Sequence, residues 1–184
     1  MDEATLAPGL LIAAPHLMDP SFRRAVVLLL ENNEEGALGV VVNHESELKL
    51  ADLCRDQGIP YHGPSQKRVR SGGPVQPDHG LVLFGDETED EDAQAVMDGL
   101  QFSASRDTLR RLCGVQQRHY HCFAGYSGWG AGQLEQEISA GSWVIAPADP
   151  RAILDTAPAR LWEASFRDLG IDPAAMVPTH GGEA

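Results

Sequence analysis

Three short apolar segments in the first 42 residues restrict the fold of this chain more than any other feature. They are Leu10–Ala13, Ala25–Leu30 and Leu38–Val42, rich in Val and Leu, with Pro, Gly or Asn nearby. Such runs predict buried β-strands. Residues 31–36, which are polar and join the second run to the third, are too few for a crossover helix. We therefore expect an antiparallel hairpin there.

The rest of the chain predicts further short strands, with helices between them and after them. The predicted strands are Val69–Ser71, Gly80–Phe84, Phe102–Ser103, Tyr120–Ala124 and Trp143–Ala146. The predicted helices are Leu48–Asp56, a helix from the N-cap Ser105 to Cys113, Gln133–Ser139, and one with the buried stripe Trp162, Phe166 and Leu169 that Gly170 ends. Asp-Pro pairs at 149–150 and 172–173 each predict a helix start. This order favours a mixed α+β domain over a regular βαβ winding.

Two polar stretches are predicted to be surface loops. Residues 58–68 contain Gly, Pro and Lys, and Asp86–Asp92 carries six carboxylates in seven residues. Like-charge repulsion disfavours an ordered structure in the second stretch. A calcium site is the alternative there, but the alternating ligands and central glycine of an EF-hand loop are missing.

Length and composition indicate one globular domain that does not bind nucleic acid. The 184 residues suit a single domain, which we place at 1–184 with frayed ends at 1–5 and 180–184. Hydrophobic residues make up 42% of the chain and charged residues 22%, which argues against disorder. Fourteen Lys and Arg residues against 27 Asp and Glu residues give a net charge of −13. This charge repels DNA and anionic lipid, so we expect neither as a direct partner.

Cysteine usage and the lengths of the apolar runs predict a cytoplasmic protein. Cys54, Cys113 and Cys122 are an odd number without CxxC spacing, which suits a reducing compartment better than a disulfide framework. The start, Met1–Glu3, is acidic, unlike the basic start of a signal peptide. The apolar runs are far shorter than the roughly 20 residues that cross a bilayer, so no membrane association is expected.

The glycine-rich segment Gly125–Gly132, between a predicted strand and a predicted helix, is the first candidate site. Its glycines indicate positive φ or a close approach of the backbone. One interpretation is a loop whose N–H groups face an anion, although the spacing matches neither a P-loop nor GxGxxG, and Glu135 and Glu137 would repel an anion. The alternatives are that Trp129 packs inward as a plug, or that Tyr126 and Trp129 contact a partner protein.

A second glycine turn, Ser71–Pro74, follows the predicted strand that contains Arg70. Successive N–H groups there could form an anion nest, although a plain turn before proline is the simpler interpretation. If this turn and the glycine-rich segment met in space, they would border one cleft. The candidate ligand-binding residues are therefore Asn43, Ser71, Gly72, Gly73, Tyr126, Ser127, Gly128, Trp129 and Gly130.

Two further polar residues lie near predicted strand ends. His16 precedes Asp19–Pro20, and Asn43 ends the third predicted strand. Both side chains could face a cleft, but the simpler interpretation is that each one bonds local backbone groups in a turn.

Signatures of catalysis and of metal binding are weak. His119 and His121 would share one face of a strand, a spacing that can bind a metal, but no third ligand is evident and two solvent-facing histidines are the simpler interpretation. Cys122 is expected to be a buried core residue rather than a reactive thiol. Because GxSxG, HExxH and a paired nucleophile and base are all missing, no catalytic residue, metal or cofactor is assigned.

The chain resembles the YqgE/AlgH family of bacterial proteins over nearly its whole length. The resemblance is carried by Pro8–His16 with Asp19–Phe22, by Gly36–Asn43, Gly72–Val75, Ser105–Asp107 and Trp162–Asp172, and above all by Gly125–Glu135. It implies a single compact α+β domain, with a mixed, mostly antiparallel sheet or barrel-like core and flanking helices. It implies no settled activity, because some members carry the label of transcriptional regulator linked to alginate control and the family is otherwise uncharacterised.

Two positions depart from the residues usual in that family. His44–Glu45 stands where the family tends to have Arg-Pro, and His79 stands where it tends to have Arg. Both departures remove a fixed positive charge, which weakens any role of these positions in binding an anion.

Together these features predict a regulatory or binding protein that holds a small molecule or a partner segment in a glycine-rich cleft. Any effect on transcription would be indirect, because no helix rich in Lys or Arg and no clear helix-turn-helix is visible. The alternative is an enzyme of unknown reaction that uses Cys122 or His121 in the same cleft. The sequence leaves the oligomeric state open.

Overall fold

A curled sheet of ten strands dominates the structure, a computed structural model that describes residues 5–87, 89–115 and 119–176. The strands are β1 (Gly9–Ala13), β2 (Val26–Asn33), β3 (Gly36–Val41), β4 (Glu45–Lys49), β5 (Arg68–Ser71), β6 (Val75–Phe84), β7 (Gln94–Met97), β8 (Leu100–Ser103), β9 (Tyr120–Gly130) and β10 (Trp143–Ala146). The helices in the same ranges are α1 (Leu50–Asp56), α2 (Arg106–Cys113), α3 (Gln133–Ser139), α4 (Pro150–Asp155) and α5 (Pro158–Asp168), followed by a 3₁₀ turn at Pro173–Ala175. The acidic start Met1–Glu3, the end at 180–184 and Thr88 of the acidic stretch lie outside the described residues.

The sheet is mixed but mostly antiparallel. Its main path runs β10-β1-β2-β3-β9-β6-β8-β7, and every pair along that path is antiparallel. Strand β5 pairs in parallel with β9 and antiparallel with β4. The sheet curls into a half-barrel flanked by the helices, which confirms the predicted α+β class and barrel-like core. The predicted hairpin is β2–β3, whose register ends with Asn33 opposite Gly36.

Strand β9 is the longest strand, and it joins the strands β10-β1-β2-β3 to the strands β6-β8-β7. Its first half, Tyr120–Ala124, pairs with β6 on one side, and Phe123 and Ala124 pair with β5 on the other. Its second half, Ser127–Gly130, pairs with β3. The neighbour of β9 on that side therefore changes from β5 to β3 near Gly125.

Three clusters of buried apolar side chains fill the two faces of the sheet. The first lies under α5 and includes Trp162 and Phe166. The second lies under α1 and α2 and contains all three cysteines. The third groups Trp129 and Trp143 with side chains of β1, β2 and β3. Among the described residues, no helix combines the length and the apolarity needed to cross a membrane.

Local capping signals explain where several helices begin. Ser105 accepts a hydrogen bond from the N–H of Asp107 and starts α2, as predicted. Asp149 accepts from the N–H of Arg151 at the start of α4, with Pro150 as the first helical residue. The other Asp-Pro pair begins only the 3₁₀ turn. The helix Gln133–Ser139 has the predicted bounds.

The structure corrects several predicted elements. The helix predicted from Leu48 begins at Leu50, because Glu45–Lys49 forms strand β4. Strand β6 begins at Val75, five residues before the predicted strand. Strand β7 was not predicted, and β8 was predicted only at its end; they form a hairpin around Gly99, whose φ of 86° suits a glycine in a tight turn.

Candidate functional site

The predicted glycine loop is not a loop. Its residues 125–130 are the second half of strand β9 and run beside β3. The side chains alternate accordingly, since Ser127 and Trp129 are buried whereas Gly128 and Gly130 are exposed. The many glycines suggested a turn, but the structure uses them inside a long strand whose neighbours approach closely.

The two glycine-rich segments meet in direct backbone contact, at what we call the glycine crossing (Gly72, Gly73 and Gly125). A Cβ atom on Gly72 would lie 2.3 Å from the carbonyl oxygen of Gly125, and one on Gly73 would lie 2.2 Å from that of Tyr126. Gly73 and Gly125 also have φ values of 147° and 77°. Only glycine fits such a close approach, so these residues let β9 change its neighbouring strand.

The hydroxyl groups at the glycine crossing differ in their surroundings. The buried Ser127 hydroxyl donates to the carbonyl of Gly72 over 3.1 Å. Ser71 is exposed, and its backbone N–H donates to the carbonyl of His44. Tyr126 is half-buried. Ligand binding by these residues stays a prediction.

Trp129 packs inward, in agreement with the plug interpretation. Only 5% of its surface is exposed. Its ring stacks on Phe22 with centroids 6.0 Å apart and meets the edge of Trp143, also at 6.0 Å. One carboxylate oxygen of Glu137, on α3, accepts both indole N–H groups, at 3.0 Å from Trp129 and 2.8 Å from Trp143. No pattern in the sequence indicated that Glu137 links these two tryptophans.

Asn43 connects the end of β3 to the start of β2. Its Oδ1 accepts from the N–H of Val26 and its Nδ2 donates to the carbonyl of Arg24, both at 2.8 Å. Arg24 has a φ of 53°, uncommon for a residue other than glycine, and its guanidinium lies over the Trp162 ring. Asn43 thus stabilises a left-handed turn, which is the simpler of its two predicted roles. His16 is exposed.

His119 and His121 were predicted to face solvent together, and the structure corrects this prediction. His119 lies just before β9 and His121 lies within it, and their surroundings differ. His119 is exposed, and its Nδ1 lies 2.5 Å from a carboxylate oxygen of Asp155. His121 is largely buried, and its Nε2 donates to the carbonyl of Leu154 over 2.7 Å. Burial, followed by the nearby positive charge of Arg70, lowers the pKa of His121 to about 3. His121 is therefore neutral at physiological pH.

Arg70 is buried beside His121. Its Nη1 donates to the carbonyl of Val42 over 2.8 Å, and its Nη2 lies 3.4 Å from His121 Nε2. Desolvation lowers the pKa of Arg70 to about 10, and Glu45 opposes this shift. The group stays cationic at neutral pH.

The three cysteines pack together on the opposite face of β9 from His121. The sulfur atoms of Cys54, on α1, and Cys113, at the end of α2, lie 3.4 Å apart. Cys122 is 4% exposed, and burial raises the pKa of its thiol well above the ordinary value. This agrees with the prediction that Cys122 is a core residue. Cys122 and His121, as neighbours in a strand, point to opposite faces and do not share a cleft.

A cavity of about 370 Å³ lies beside the cysteines, between α1, α2 and the sheet. Its floor is made of facing residues of β6 and β9, with Gly80 opposite Ala124 and Val82 opposite Cys122. The apolar side chains of its walls come from several elements and include Leu48, Leu53, Ile59, Val69 and Leu109. This cavity was not predicted from the sequence, although the small residues on one face of two strands are a signal for it.

Polar groups at the cavity come mainly from the helix ends. The Arg106 guanidinium, at the start of α2, donates to the carbonyl of Gln57, at the end of α1. Asp78, an exposed residue of β6, also lines the cavity. Leu48 also lines the cavity, and its side chain is 40% exposed, so the apolar lining extends to the surface of the protein. Ser103 and Ser105 add two hydroxyl groups, and the other lining residues are apolar or glycine, as is usual for small-molecule sites.

The described residues of the acidic stretch between β6 and β7 form neither helix nor strand, as predicted, but one of its carboxylates is enclosed. Asp90 forms an ion pair with Arg111 of α2, and its side chain is 3% exposed. Asp92 accepts a hydrogen bond from the Ser105 hydroxyl over 2.8 Å. In the described ranges, no three His, Cys, Asp or Glu side chains are grouped so that they could hold a metal ion.

Comparison with known proteins relates the whole chain to one bacterial family. The model of the family described as AlgH-like, DUF179, matches residues 10–174. A UPF0301 protein of Myxococcus xanthus is 42% identical over 177 residues, covering 96% of this chain and 97% of the relative. A UPF0301 protein of Magnetococcus marinus is 38% identical over 186 residues, covering all of both chains.

Solved structures agree in fold. The solution structure of the AlgH protein from Pseudomonas aeruginosa has a TM-score of 0.76 and 33% identity, covering 100% of this chain and 98% of that one. A crystal structure of a Corynebacterium diphtheriae protein has a TM-score of 0.71 at 23% identity, covering 88% of this chain and 86% of that one, and shows the fold alone. By the match to the family model and the identity to these relatives, the chain belongs to the AlgH-like, UPF0301 family.

Proposed function

We propose that this protein binds a small, mostly apolar molecule in the cavity between α1, α2 and the β6–β9 floor. The observation that carries the proposal is an apolar hollow of about 370 Å³ with polar groups confined to a few positions. Ligand pockets of small molecules have this size and this lining. Because the hollow opens to solvent, its apolar lining is in contact with water, and a bound apolar molecule would remove that lining from water.

The cavity exists because the residues of its floor are small. Gly80, Cys122 and Ala124 share the face that α1 and α2 cover, and a Cβ atom on Gly80 would have one neighbour within 4 Å, at 4.0 Å. On the other face of the same strands, Leu83 and Phe123 are fully packed. The unfilled volume therefore follows from side-chain size at these positions.

Binding fits the cavity better than thiol chemistry does. The Cys122 thiol stays protonated at neutral pH because burial raises its pKa, and a protonated thiol is a poor nucleophile. The Ser103 hydroxyl is bonded to that of Thr108, and the Ser105 hydroxyl caps α2. The enzyme alternative thus lacks an activated nucleophile among these lining side chains.

The experiment is a fluorescence titration with a neutral apolar probe, N-phenyl-1-naphthylamine. We expect saturable binding, and we expect Ala124→Leu to weaken it by about tenfold or more because the larger side chain fills the floor. Ala95→Leu, an exposed position on β7, is the matched control and should leave the affinity unchanged. Equal affinity in all three proteins would contradict the proposal.

The predicted ligand residues around the glycine crossing are tested in the same titration. Tyr126→Ala truncates a half-buried side chain of that predicted set and should not change probe affinity. If Tyr126→Ala abolished binding while Ala124→Leu did not, the ligand site would lie at the crossing and the cavity proposal would fail.

We infer that any regulatory role is exerted through the bound molecule or a partner protein. A net charge of −13 opposes contact with DNA, and a cytoplasmic location fits the cysteine usage. Ligand-dependent capture of one partner from the producing organism's lysate would support this role.

A further inference from the structure

Two thiols outside the predicted site residues are in atomic contact. Cys54 Sγ and Cys113 Sγ lie 3.4 Å apart, although 59 positions separate the residues. Both are free and fully buried. The hydroxyl of Tyr120 lies 3.8 Å from the Cys113 sulfur and donates to it. A disulfide needs an S–S distance of about 2.05 Å, so a closing movement of about 1.3 Å would join the pair.

The pair connects the two helices that wall the cavity. Cys54 follows Leu53 on α1, and Cys113 lies four residues after Leu109 on α2. Both leucines line the cavity, and both pack against the core cluster that holds the cysteines. A covalent bond between these sulfurs would therefore draw the two walls together.

We propose that Cys54 and Cys113 form a reversible disulfide on exposure to hydroperoxides, and that this bond narrows the cavity. The thiol pair, not a single reactive cysteine, is the modification site. Its effect on a ligand rests on the proposed function, whereas formation of the bond does not.

The chemistry balances with a hydroperoxide as the oxidant. The Cys113 sulfur attacks the terminal oxygen of the hydroperoxide, so that an S–O bond forms and the O–O bond breaks. The Cys113 thiol proton goes to the departing oxygen, which leaves as an alcohol, or as water from hydrogen peroxide, and Cys113 becomes a sulfenic acid. The Cys54 sulfur then displaces hydroxide from the sulfenic acid, and the Cys54 proton leaves with it as water. The S–S bond forms, both sulfurs are oxidised by one electron each, and the peroxide is reduced.

Cys113 is assigned the first step because of its contact with Tyr120. The Tyr120 hydroxyl donates to the Cys113 sulfur and can stabilise negative charge on it. Contact between the sulfurs makes the second step intramolecular, which favours the disulfide over further oxidation.

The first experiment treats the folded wild-type protein with hydrogen peroxide and maps its peptides by mass spectrometry. We expect a loss of about 2 Da, a cross-linked peptide pair containing Cys54 and Cys113, and full reversal by dithiothreitol. Cys122→Ala should behave like the wild type, and Cys54→Ala should show no intramolecular cross-link. A disulfide that includes Cys122, sulfinic acid without any disulfide, or no oxidation of the pair would overturn the proposal.

The second experiment titrates reduced and oxidised protein with N-phenyl-1-naphthylamine. We expect the oxidised protein to bind the probe several-fold more weakly, and dithiothreitol to restore the affinity. Unchanged affinity after complete disulfide formation would overturn the narrowing of the cavity. If the reduced protein bound no probe, the proposed function would fail, while peptide mapping would still decide the disulfide pairing.

Discussion

The carboxylate of Glu137 holds two tryptophans of different strands in one arrangement. Its Oε2 accepts from Trp129 on β9 and from Trp143 on β10. An indole N–H that loses its acceptor in a partly buried site costs about 1–3 kcal/mol. Glu137 therefore couples α3 to both strands, and it explains why an acidic residue follows the glycine-rich segment.

The fold shifts the protonation equilibrium of His121 strongly towards the neutral form. Burial and the charge of Arg70 lower its pKa to about 3, with smaller contributions from Lys67 and His119 in the same direction. The hydrogen bond to the Leu154 carbonyl opposes the shift. In the unfolded chain the pKa of histidine is about 6.5. The folded protein therefore binds fewer protons at this site between pH 6.5 and about 3.

This difference predicts a loss of stability on acidification that His121→Gln removes. Below pH 6.5 His121 binds a proton in the unfolded wild-type chain but not in the folded protein. The free energy of unfolding therefore falls by up to about 1.4 kcal/mol for each unit by which the pH decreases. Glutamine keeps an N–H donor for the Leu154 carbonyl but does not titrate. The measurement is urea unfolding of both proteins at pH 7.5, 6, 5 and 4.

The other groups that titrate in this range are common to both proteins, so the comparison isolates His121. We expect the stability of the wild type relative to the variant to decrease steadily below pH 6.5. Parallel pH profiles would show that His121 titrates normally in the folded state.

Among the elements, strand β9 depends on the absence of side chains at the glycine crossing. The carbonyl groups of Gly125 and Tyr126 occupy the space where Cβ atoms of Gly72 and Gly73 would lie. The backbone segments interlock there: Gly72 donates its N–H to the Ala124 carbonyl and accepts from the N–H of Val41. These bonds fill the gap between β5 and β3 along one side of β9.

We predict that Gly73→Ala destabilises the protein by about 2–4 kcal/mol, because the added methyl group overlaps the Tyr126 carbonyl at a φ that alanine rarely adopts. Gly132→Ala is the matched control. Gly132 has a φ of 74° but no neighbour within 4 Å of an added Cβ, so only backbone strain of about 1 kcal/mol remains. Urea midpoints of the two variants measure the difference, and equal midpoints would show that the crossing tolerates a side chain.

Predictability from the sequence differed between elements for physical reasons. The buried strands β1, β2 and β3 could be predicted because apolar residues lie on both faces of each strand. Helix α2 could be predicted because Ser105 and Asp107 mark its start. Strand β4, Glu45–Lys49, is mostly exposed and polar, so no hydrophobic pattern marked it. The prediction of a loop at the second half of β9 was wrong because glycine is selected both by tight turns and by close packing between strands.

At the level of the whole molecule, negative charge dominates the surface. The net charge is −13, and several arginines are engaged in ion pairs, as Arg24 is with Glu163, Arg55 with Asp52 and Arg111 with Asp90. DNA binding depends on cations that neutralise phosphates. A net charge of −13 therefore repels the phosphates of a duplex.

We therefore predict no binding to duplex DNA at physiological salt. The measurement is fluorescence anisotropy of labelled duplexes, including DNA from upstream of the protein's own gene, at about 0.15 M salt. A basic DNA-binding protein serves as the positive control. Sequence-selective binding that weakens as salt increases would contradict the prediction and would make direct regulation of transcription the better account.

The sequence by itself determined the α+β class, the first hairpin, the capped helix α2 and the family, because each depends on local patterns or on a contiguous string of residues. Only the tertiary structure decided which residues meet. The sulfurs of Cys54 and Cys113 lie 59 positions apart in the chain, and the cavity floor pairs Gly80 with Ala124. Such contacts follow from the register and curvature of the sheet, which no local pattern encodes, so the cavity became visible only in three dimensions.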